Sequence, residues 1–367
     1  MSELLRQELA SQAVKPPGKD RIIAAFSQSV LNMAGVARMA ELESVVDSRA
    51  NITPSYGANL LLRGFQTQLL KSETDYPRLY TTESVWQKAI DNILDDDAAY
   101  EQLTKDLTER NVQSNVVERY KAFKLVIGLL HDRLSEEFQM LDVGCSRNHG
   151  LKKLKLNLPF RPFLSGFRDT ELFPSGLIDV LFNAVNKQSL KLGHSVGTDI
   201  NPIDNDDGNA FWAKSCSFYP SELLDESAVT EYDYLDHNEV EGVRFIEGDF
   251  SAYGLKGRPA EKSFDVICAS TFMYQLSDEY RVRARSLFRR YLAKDGVIVY
   301  QDFVRPSPDD RHLDFERNWF ASLFPYRTLI EFEEDKTSTV HEVFRFDGGR
   351  CRQWAPGKDL RNILEYT

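Results

Sequence analysis

The apolar positions of this chain change their period near residue 138. Before it they recur at helical spacing. Behind Asp20, a residue suited to cap a helix, Ile23, Phe26, Val30, Met33 and Ala37 follow one another at three- and four-residue steps and predict one buried helical stripe. Pro54-Ser55-Tyr56-Gly57 reads as a turn, Leu60 to Leu70 as a second apolar segment, and Thr81-Thr82 as the cap of a helix that buries Trp86, Ile90 and Leu94. The clearest helix is Ser114 to Leu134, where Val116, Tyr120, Phe123, Ile127, Leu130 and Leu134 form a regular stripe of the kind a packed helix needs.

After residue 138 the apolar runs become short and nearly continuous: FQMLDV (138–143), HSVGTDI (194–200), VRFIEGDF (243–250), FDVICAS (264–270) and GVIVYQDFV (296–304). Helical stretches lie between and after them, among them Tyr280 to Leu292, with Val282, Leu287, Phe288, Tyr291 and Leu292 toward one side. Strands apolar on both faces and separated by helices predict a parallel sheet covered on both sides. A helix around Phe315 to Phe324 leads into RTLIEFEE (327–334) and TVHEVFRF (339–346), and the link between these two runs is so short that they must pair antiparallel. The expected organisation is an all-helical N-terminal region over residues 1–135, serving as acceptor-site cover or in dimerisation, followed by an α/β domain over residues 136–367. Asp142 to Asp199 and Asp199 to Asp249 are both much longer than the roughly 30 residues of a strand-helix-strand crossover, so insertions are expected at 151–190 and 201–241.

Composition narrows the function. With 42% hydrophobic and 28% charged residues the chain is ordinarily globular, and it has neither a membrane-length apolar run nor a signal-peptide pattern at its polar start, so a cytoplasmic protein is expected. Cys145, Cys216, Cys268 and Cys351 are far apart and predict reduced thiols rather than disulfides or a metal site. A net charge of -11 disfavours a nucleic-acid partner. Most of that charge falls in 201–241, where eleven acids face one base, Lys214. This is either a solvated acidic face or an attractor for a cationic substrate or a basic protein or peptide.

The carboxyl ends of the strands carry the candidate chemistry, since ligands of open parallel sheets bind there. Asp142 and Gly144 end the first strand, Asp199 the second, Asp249 the third, and Ala269-Ser270 the fourth. Gly144 lets backbone approach a ligand, Asp199 is placed for ribose hydroxyls, and Asp249 with Phe250 offers a carboxylate and a ring.

The set LDVGC (141–145), VGTDINP (196–202), VRFIEGDF (243–250), FDVICASTFMYQL (264–276) and LAKDGVIVYQDF (292–303), followed by a terminal hairpin, resembles the class I S-adenosylmethionine-dependent methyltransferases over about residues 138–346. The resemblance implies a Rossmann-like, mostly parallel sheet and S-adenosyl-L-methionine as cofactor. It implies that Asp142, Gly144, Cys145 and Ser146 line the methionine part, that Asp199 and Ile200 hold ribose and adenine, that Asp249 and Phe250 meet the adenine edge and face, and that Ala269 and Ser270 close the pocket. Ser146 and Asn148 stand where that family often has glycine, and Tyr274-Gln275 where many small-molecule members have histidines. Tyr274 and His149 are the candidate bases, although the place of His149 in the glycine turn favours a turn residue over a base. The activity implied is methyl transfer to an oxygen, nitrogen or carbon of a small or medium-sized acceptor; the alternatives are a protein or peptide acceptor drawn by the acidic insertion, and a non-catalytic binding module. A nicotinamide-binding G-x-G-x-x-G turn would need glycine at Ser146 and His149.

Overall fold

Capping and aromatic packing organise the first part of the chain. Asp20 accepts hydrogen bonds from the backbone N–H groups of Ile22 and Ile23, and so opens a helix that buries Ile23, Phe26 and Val30. The computed structural model describes residues 3–49, 53–72, 75–112, 116–130, 133–134, 137–160, 191–200, 207–255, 260–305, 314–315, 326–333 and 339–366. Over residues 3–109 it is helical: α1 (Glu3–Val14), α2 (Arg21–Asn32), α3 (Ala37–Ser48), α4 (Pro54–Ser72), α5 (Tyr76–Leu79), α6 (Glu83–Asp95) and α7 (Asp97–Glu109). Phe26, Phe65, Tyr76 and Trp86 meet edge-on or tilted, with Phe26 and Trp86 ring centroids 4.9 Å apart, and Trp86, Ile90 and Leu94 share the buried face of α6.

Two sequence expectations change here. The stripe of α2 does not reach Ala37, because Gly35 at φ +110° ends the run and exposed Ala37 begins α3. Pro54 to Gly57 is not a turn but the first turn of α4, since a proline at a helix start gives up an N–H that has no intrahelical partner anyway.

The second part starts with a short 3-10 turn, Val117–Arg119, and α8 (Tyr120–Leu129), a shorter element than the sequence stripe predicts; residues 113–115 lie outside the described residues. There follow β1 (Glu137–Val143), α9 (His149–Lys155), β2 (Lys191–Asp199), α10 (Asp207–Ser217), α11 (Glu226–His237), β3 (Val243–Glu247), α12 (Phe250–Tyr253), β4 (Phe264–Ser270), α13 (Asp278–Tyr291) and β5 (Leu292–Arg305). The chain closes with β6 (Asp314–Phe315), β7 (Tyr326–Phe332), β8 (His341–Phe346), β9 (Trp354–Pro356) and α14 (Leu360–Tyr366).

Eight strands form one sheet in the order β3-β2-β1-β4-β5-β7-β8-β9, with two-residue β6 paired to β5. The first five run parallel, and β7, β8 and β9 continue them as an antiparallel meander. The predicted terminal hairpin is therefore present as the β7–β8 pair and extended by β9, while its link, 335–338, lies outside the described residues. Residues 161–190 of the first predicted insertion and 316–324 of the predicted helix also lie outside them; Phe315 is in β6.

Alternation along the central strands feeds two cores. Met140, Val266, Cys268, Val297 and Val299 join α8 and α14 in one apolar cluster. Leu141, Val143, Ile267, Ala269, Ile298 and Tyr300 join Phe250 and α13 in the other. Both faces are thus dry, as a parallel sheet requires. Along α13 the buried face is Ala284, Phe288 and Tyr291, with Val282 exposed rather than inward. Its arginines are not simply solvated: Arg285 and Arg289 both bond Glu331 of β7, whose side chain is buried.

By compactness the chain forms two units, residues 1–115 with 204–234, and residues 116–203 with 235–367. Most of the acidic insertion therefore belongs to the helical unit. There Trp212 of α10 donates to the Asn111 carbonyl at 3.0 Å, and the buried guanidinium of Arg63 caps the end of α10 through the carbonyls of Ser215 and Phe218. Among the described residues no helix is long and apolar enough to cross a membrane.

Candidate functional site

The turn from β1 into α9 is built on three residues with left-handed backbone. Gly144 sits at φ +77°, and its N–H donates to the Thr198 carbonyl of β2 at 2.9 Å. A side chain there would be strained by the φ and would also approach Phe272 to 3.2 Å. Ser146 and Asn148 adopt φ of 52° and 63°, the conformation that glycine takes without cost. The non-glycine residues thus give the turn a glycine-like path, at the price of local strain.

That path brings the turn against the tip of β2. The Ser146 N–H donates to Asp199 Oδ2 at 2.8 Å. Gly197 makes room for it, since a Cβ at 197 would lie 2.3 Å from Asn148 Oδ1 and 2.7 Å from Cys145 Sγ. Cys145 is buried, and burial pushes its thiol well above the ordinary range, so it fills space rather than attacks.

Asp142, at the end of β1, is fully buried. The Tyr120 hydroxyl at the start of α8 donates to its Oδ2, and its Oδ1 accepts no hydrogen bond from the described protein. Ser146 Oγ and Asn148 Oδ1 are likewise buried without a partner among the described residues. Burial raises the Asp142 carboxyl to about 7; the Tyr120 bond opposes this and the Asp199 charge adds to it. Tyr120 reaches the site only because residue 150 is glycine: a Cβ there would lie 1.9 Å from the Tyr120 ring.

The other predicted residues are distributed as follows. Asp249 caps α12, its Oδ1 accepting from the Ala252 N–H and the Ser251 hydroxyl. Phe250 is buried and stacked on Phe288 with centroids 5.3 Å apart. Ile200 is 60% exposed just beyond β2. Ala269 is buried beneath the tip of β4, and the Ser270 hydroxyl lies 3.0 Å from the Tyr326 hydroxyl. The structure therefore brings Asp142, Gly144, Cys145, Ser146 and Asp199 into one constellation, while Phe250 and Ala269 sit in apolar core.

Of the candidate bases, His149 is buried, its Nε2 2.9 Å from Asp236 Oδ1, and burial lowers its affinity for a proton. Asp236 also accepts hydrogen bonds from Nε and Nη2 of Arg147. Burial opposes ionisation of Asp236, but His149 and Arg147 outweigh it and hold the carboxyl below the ordinary range. The Tyr274 N–H donates to Asp302 Oδ2 at 3.1 Å, and its ring meets Phe303 edge-on.

Sequence reasoning did not single out Tyr120, Gly197, Asp236 or the group at the tips of β4 and β5. In that group Thr271 is held at φ 52°, unusual for a β-branched residue. Its hydroxyl accepts from Arg119 at 2.8 Å, and Arg119 also donates to the Gly349 carbonyl. Asp302 is buried beside it and raised to about 7 by burial, against the backbone N–H groups that bond it. No group of three or more metal-ligating side chains occurs among the described residues.

No family model and no curated protein matches the sequence. Similar solved structures include the YcgJ protein from Bacillus subtilis, at 15% identity over 51% of this chain and 53% of that one with a TM-score of 0.27. The [4+2]-cyclase SpnF is similar at 13% identity over 53% and 52%, with a TM-score of 0.27. The N-methyltransferase NodS from Bradyrhizobium japonicum, in complex with S-adenosyl-L-homocysteine, is similar at 13% identity over 59% and 72%, also at 0.27. The chain spans about half the length of the first two. At these identities and TM-scores the chemistry has to be read from the residues themselves.

Proposed function

We propose that this chain is an S-adenosyl-L-methionine-dependent methyltransferase acting on an oxygen, nitrogen or carbon atom of a small or medium-sized acceptor. The observation that carries the reading is the concentration of acceptor oxygens at one edge of a parallel sheet. Asp142 and Asp199 end adjacent strands, and Asp142 Oδ1, Ser146 Oγ and Asn148 Oδ1 are buried without donors among the described residues. Such a set suits a ligand rich in N–H and O–H donors and carrying positive charge. S-adenosyl-L-methionine, which has an ammonium, a sulfonium and a ribose diol, fits it, and when bound supplies a methyl group already activated for transfer.

In this reading Asp142 and Asp199 hold the cationic and ribose parts, and Gly144 and Gly197 keep the turn free of side-chain bulk. The chain's own contribution to the reaction is then alignment of the acceptor and exclusion of water, worth about 7 to 11 kcal/mol when geometry is well set. The helical unit, with its separate core, is assigned to the acceptor rather than to the cofactor. A basic polypeptide drawn by the acidic insertion is the weaker reading, because Asp233 and Asp236 are engaged by Lys214 and Arg147, and Glu226 by Arg78.

Calorimetric titration tests the reading. The protein should bind S-adenosyl-L-methionine and S-adenosyl-L-homocysteine, and Asp199→Ala should weaken both by about tenfold or more, the usual worth of hydrogen bonds to a charged group. Absence of binding by the unaltered protein, or unchanged affinity in the variant, would sink it. With methyl-labelled cofactor and a cell extract, label should enter small molecules rather than protein.

A further inference from the structure

Two consecutive residues at the start of α8 reach two different strand tips. Arg119 bonds Thr271 after β4, and Tyr120 bonds Asp142 at the end of β1. The second contact is unusual in its construction. A buried tyrosine hydroxyl meets a buried carboxylate, the ring lies where any side chain at residue 150 would be, and the carboxylate keeps one oxygen without a donor among the described residues. Burying a carboxylate with one oxygen unpartnered is costly, and its persistence beside a second carboxylate calls for an explanation other than packing.

We propose that Tyr120 is a positioning residue for the cofactor site: its hydroxyl, seated by Gly150, fixes one oxygen of Asp142 and so presents the other to a donor on a cationic ligand. The ligand identity rests on the function proposed above; the action of Tyr120 on Asp142 does not.

The proposal carries a pH signature. The groups acting on Asp142 are the Tyr120 hydroxyl from α8 and the Asp199 carboxylate from β2; the Cys145 thiol in the turn and the Cys268 thiol on β4 also face it, and both are pushed up by burial and by its charge. Burial is the largest influence and holds the Asp142 carboxyl at about 7, while Tyr120 pulls it down. A cation is best held by the ionised form, so affinity is full above that value and falls as pH drops through it. Removing the hydroxyl withdraws a stabiliser of the ionised form, and the fall then begins at higher pH.

The experiment compares the unaltered protein with Tyr120→Phe, which keeps the ring against Gly150. First, in ligand-free protein labelled with carboxyl-13C aspartate, the Asp142 resonance is identified by its disappearance in Asp142→Asn and titrated. Tyr120→Phe should move its midpoint upward by about one pH unit, equivalent to a bond of roughly 1.4 kcal/mol. Second, affinity for S-adenosyl-L-homocysteine is measured from pH 5.5 to 9. Its midpoint should move up with the carboxyl, and Asp142→Asn should abolish the pH dependence between them. An unmoved carboxyl midpoint in folded Tyr120→Phe overturns the proposal, as does a moved carboxyl whose ligand affinity keeps its original pH profile. Should Tyr120→Phe fail to fold, fluorotyrosine at position 120 decides: its more acidic hydroxyl should lower the Asp142 midpoint, and an unmoved midpoint overturns the proposal. If the unaltered protein binds no S-adenosyl-L-homocysteine at any pH, the proposed function falls, while the carboxyl titration still decides whether Tyr120 governs Asp142.

Discussion

Gly150→Ala adds one methyl group to α9 and tests the seating of Tyr120 directly. On an exposed helix the change would be favourable by about 1 kcal/mol, because alanine is the better helix former. Here the new Cβ would lie 1.9 Å from Tyr120 Cζ and 2.1 Å from Cε1 and Cε2, far inside contact distance. The ring is buried and packs edge-on against Phe123 at 5.2 Å, so it has no room to yield without repacking α8. Overpacking of this kind costs about 1 to 3 kcal/mol, and if the hydroxyl leaves Asp142 a buried hydrogen bond to a carboxylate worth about 1.5 to 3 kcal/mol goes with it. Together these come to about 2.5 to 6 kcal/mol, or about 1.5 to 5 kcal/mol once the helix gain of alanine is set against them, a large share of a typical domain's stability. Urea unfolding followed by circular dichroism would measure it. A second variant isolates the cause: in a Tyr120→Ala background the ring is gone, and Gly150→Ala should become neutral or mildly stabilising. A Gly150→Ala protein within about 1 kcal/mol of the unaltered one, or an equal penalty in both backgrounds, would refute the packing argument.

Two further outcomes follow from the same turn. Asp236→Asn removes the charge that Arg147 and His149 share inside the sheet unit, where the arginine side chain is 5% exposed, and should destabilise that unit by about 3 kcal/mol in denaturant unfolding; a loss below about 1 kcal/mol would mean that other contacts suffice. Ser146→Gly relieves a left-handed serine without touching the N–H that bonds Asp199, and should raise the unfolding free energy by about 0.5 to 1 kcal/mol, whereas a decrease would show that the serine hydroxyl contributes more than its backbone strain costs.

The sheet was legible because its strands are apolar on both faces, and a run such as Val266 to Ala269 has no solvent face to obscure its assignment. The tips of β1 and β2 were legible for a related reason, since an acid closing an apolar strand must serve something other than the core. What escaped was every feature made by contact between distant segments. Tyr120 reads in sequence as one more member of a helical stripe, and nothing local shows that its hydroxyl ends on Asp142. Asp236 reads as one acid among eleven, yet it accepts two hydrogen bonds from buried Arg147. Phe250 was expected on adenine because it follows Asp249, but the short helix capped by Asp249 turns its ring onto Phe288. Pro54 to Gly57 reads as a turn because sequence alone does not distinguish the proline that ends a helix from the one that begins it.

The division of the acidic insertion has a consequence for how the protein is made. Trp212 and Cys216 belong to the core of the helical unit, and Arg63 on α4 satisfies the carbonyls at the end of α10. A ribosome delivers α1 to α7 first, but this unit receives its last core residues only after β1 and β2 have been synthesised. Until then the N-terminal helices have an open apolar face and a buried arginine awaiting its acceptors. A chain released at residue 115 would end in that state, so the helical unit has no natural cut point, and its completion in time is tied to the strands that carry the candidate site.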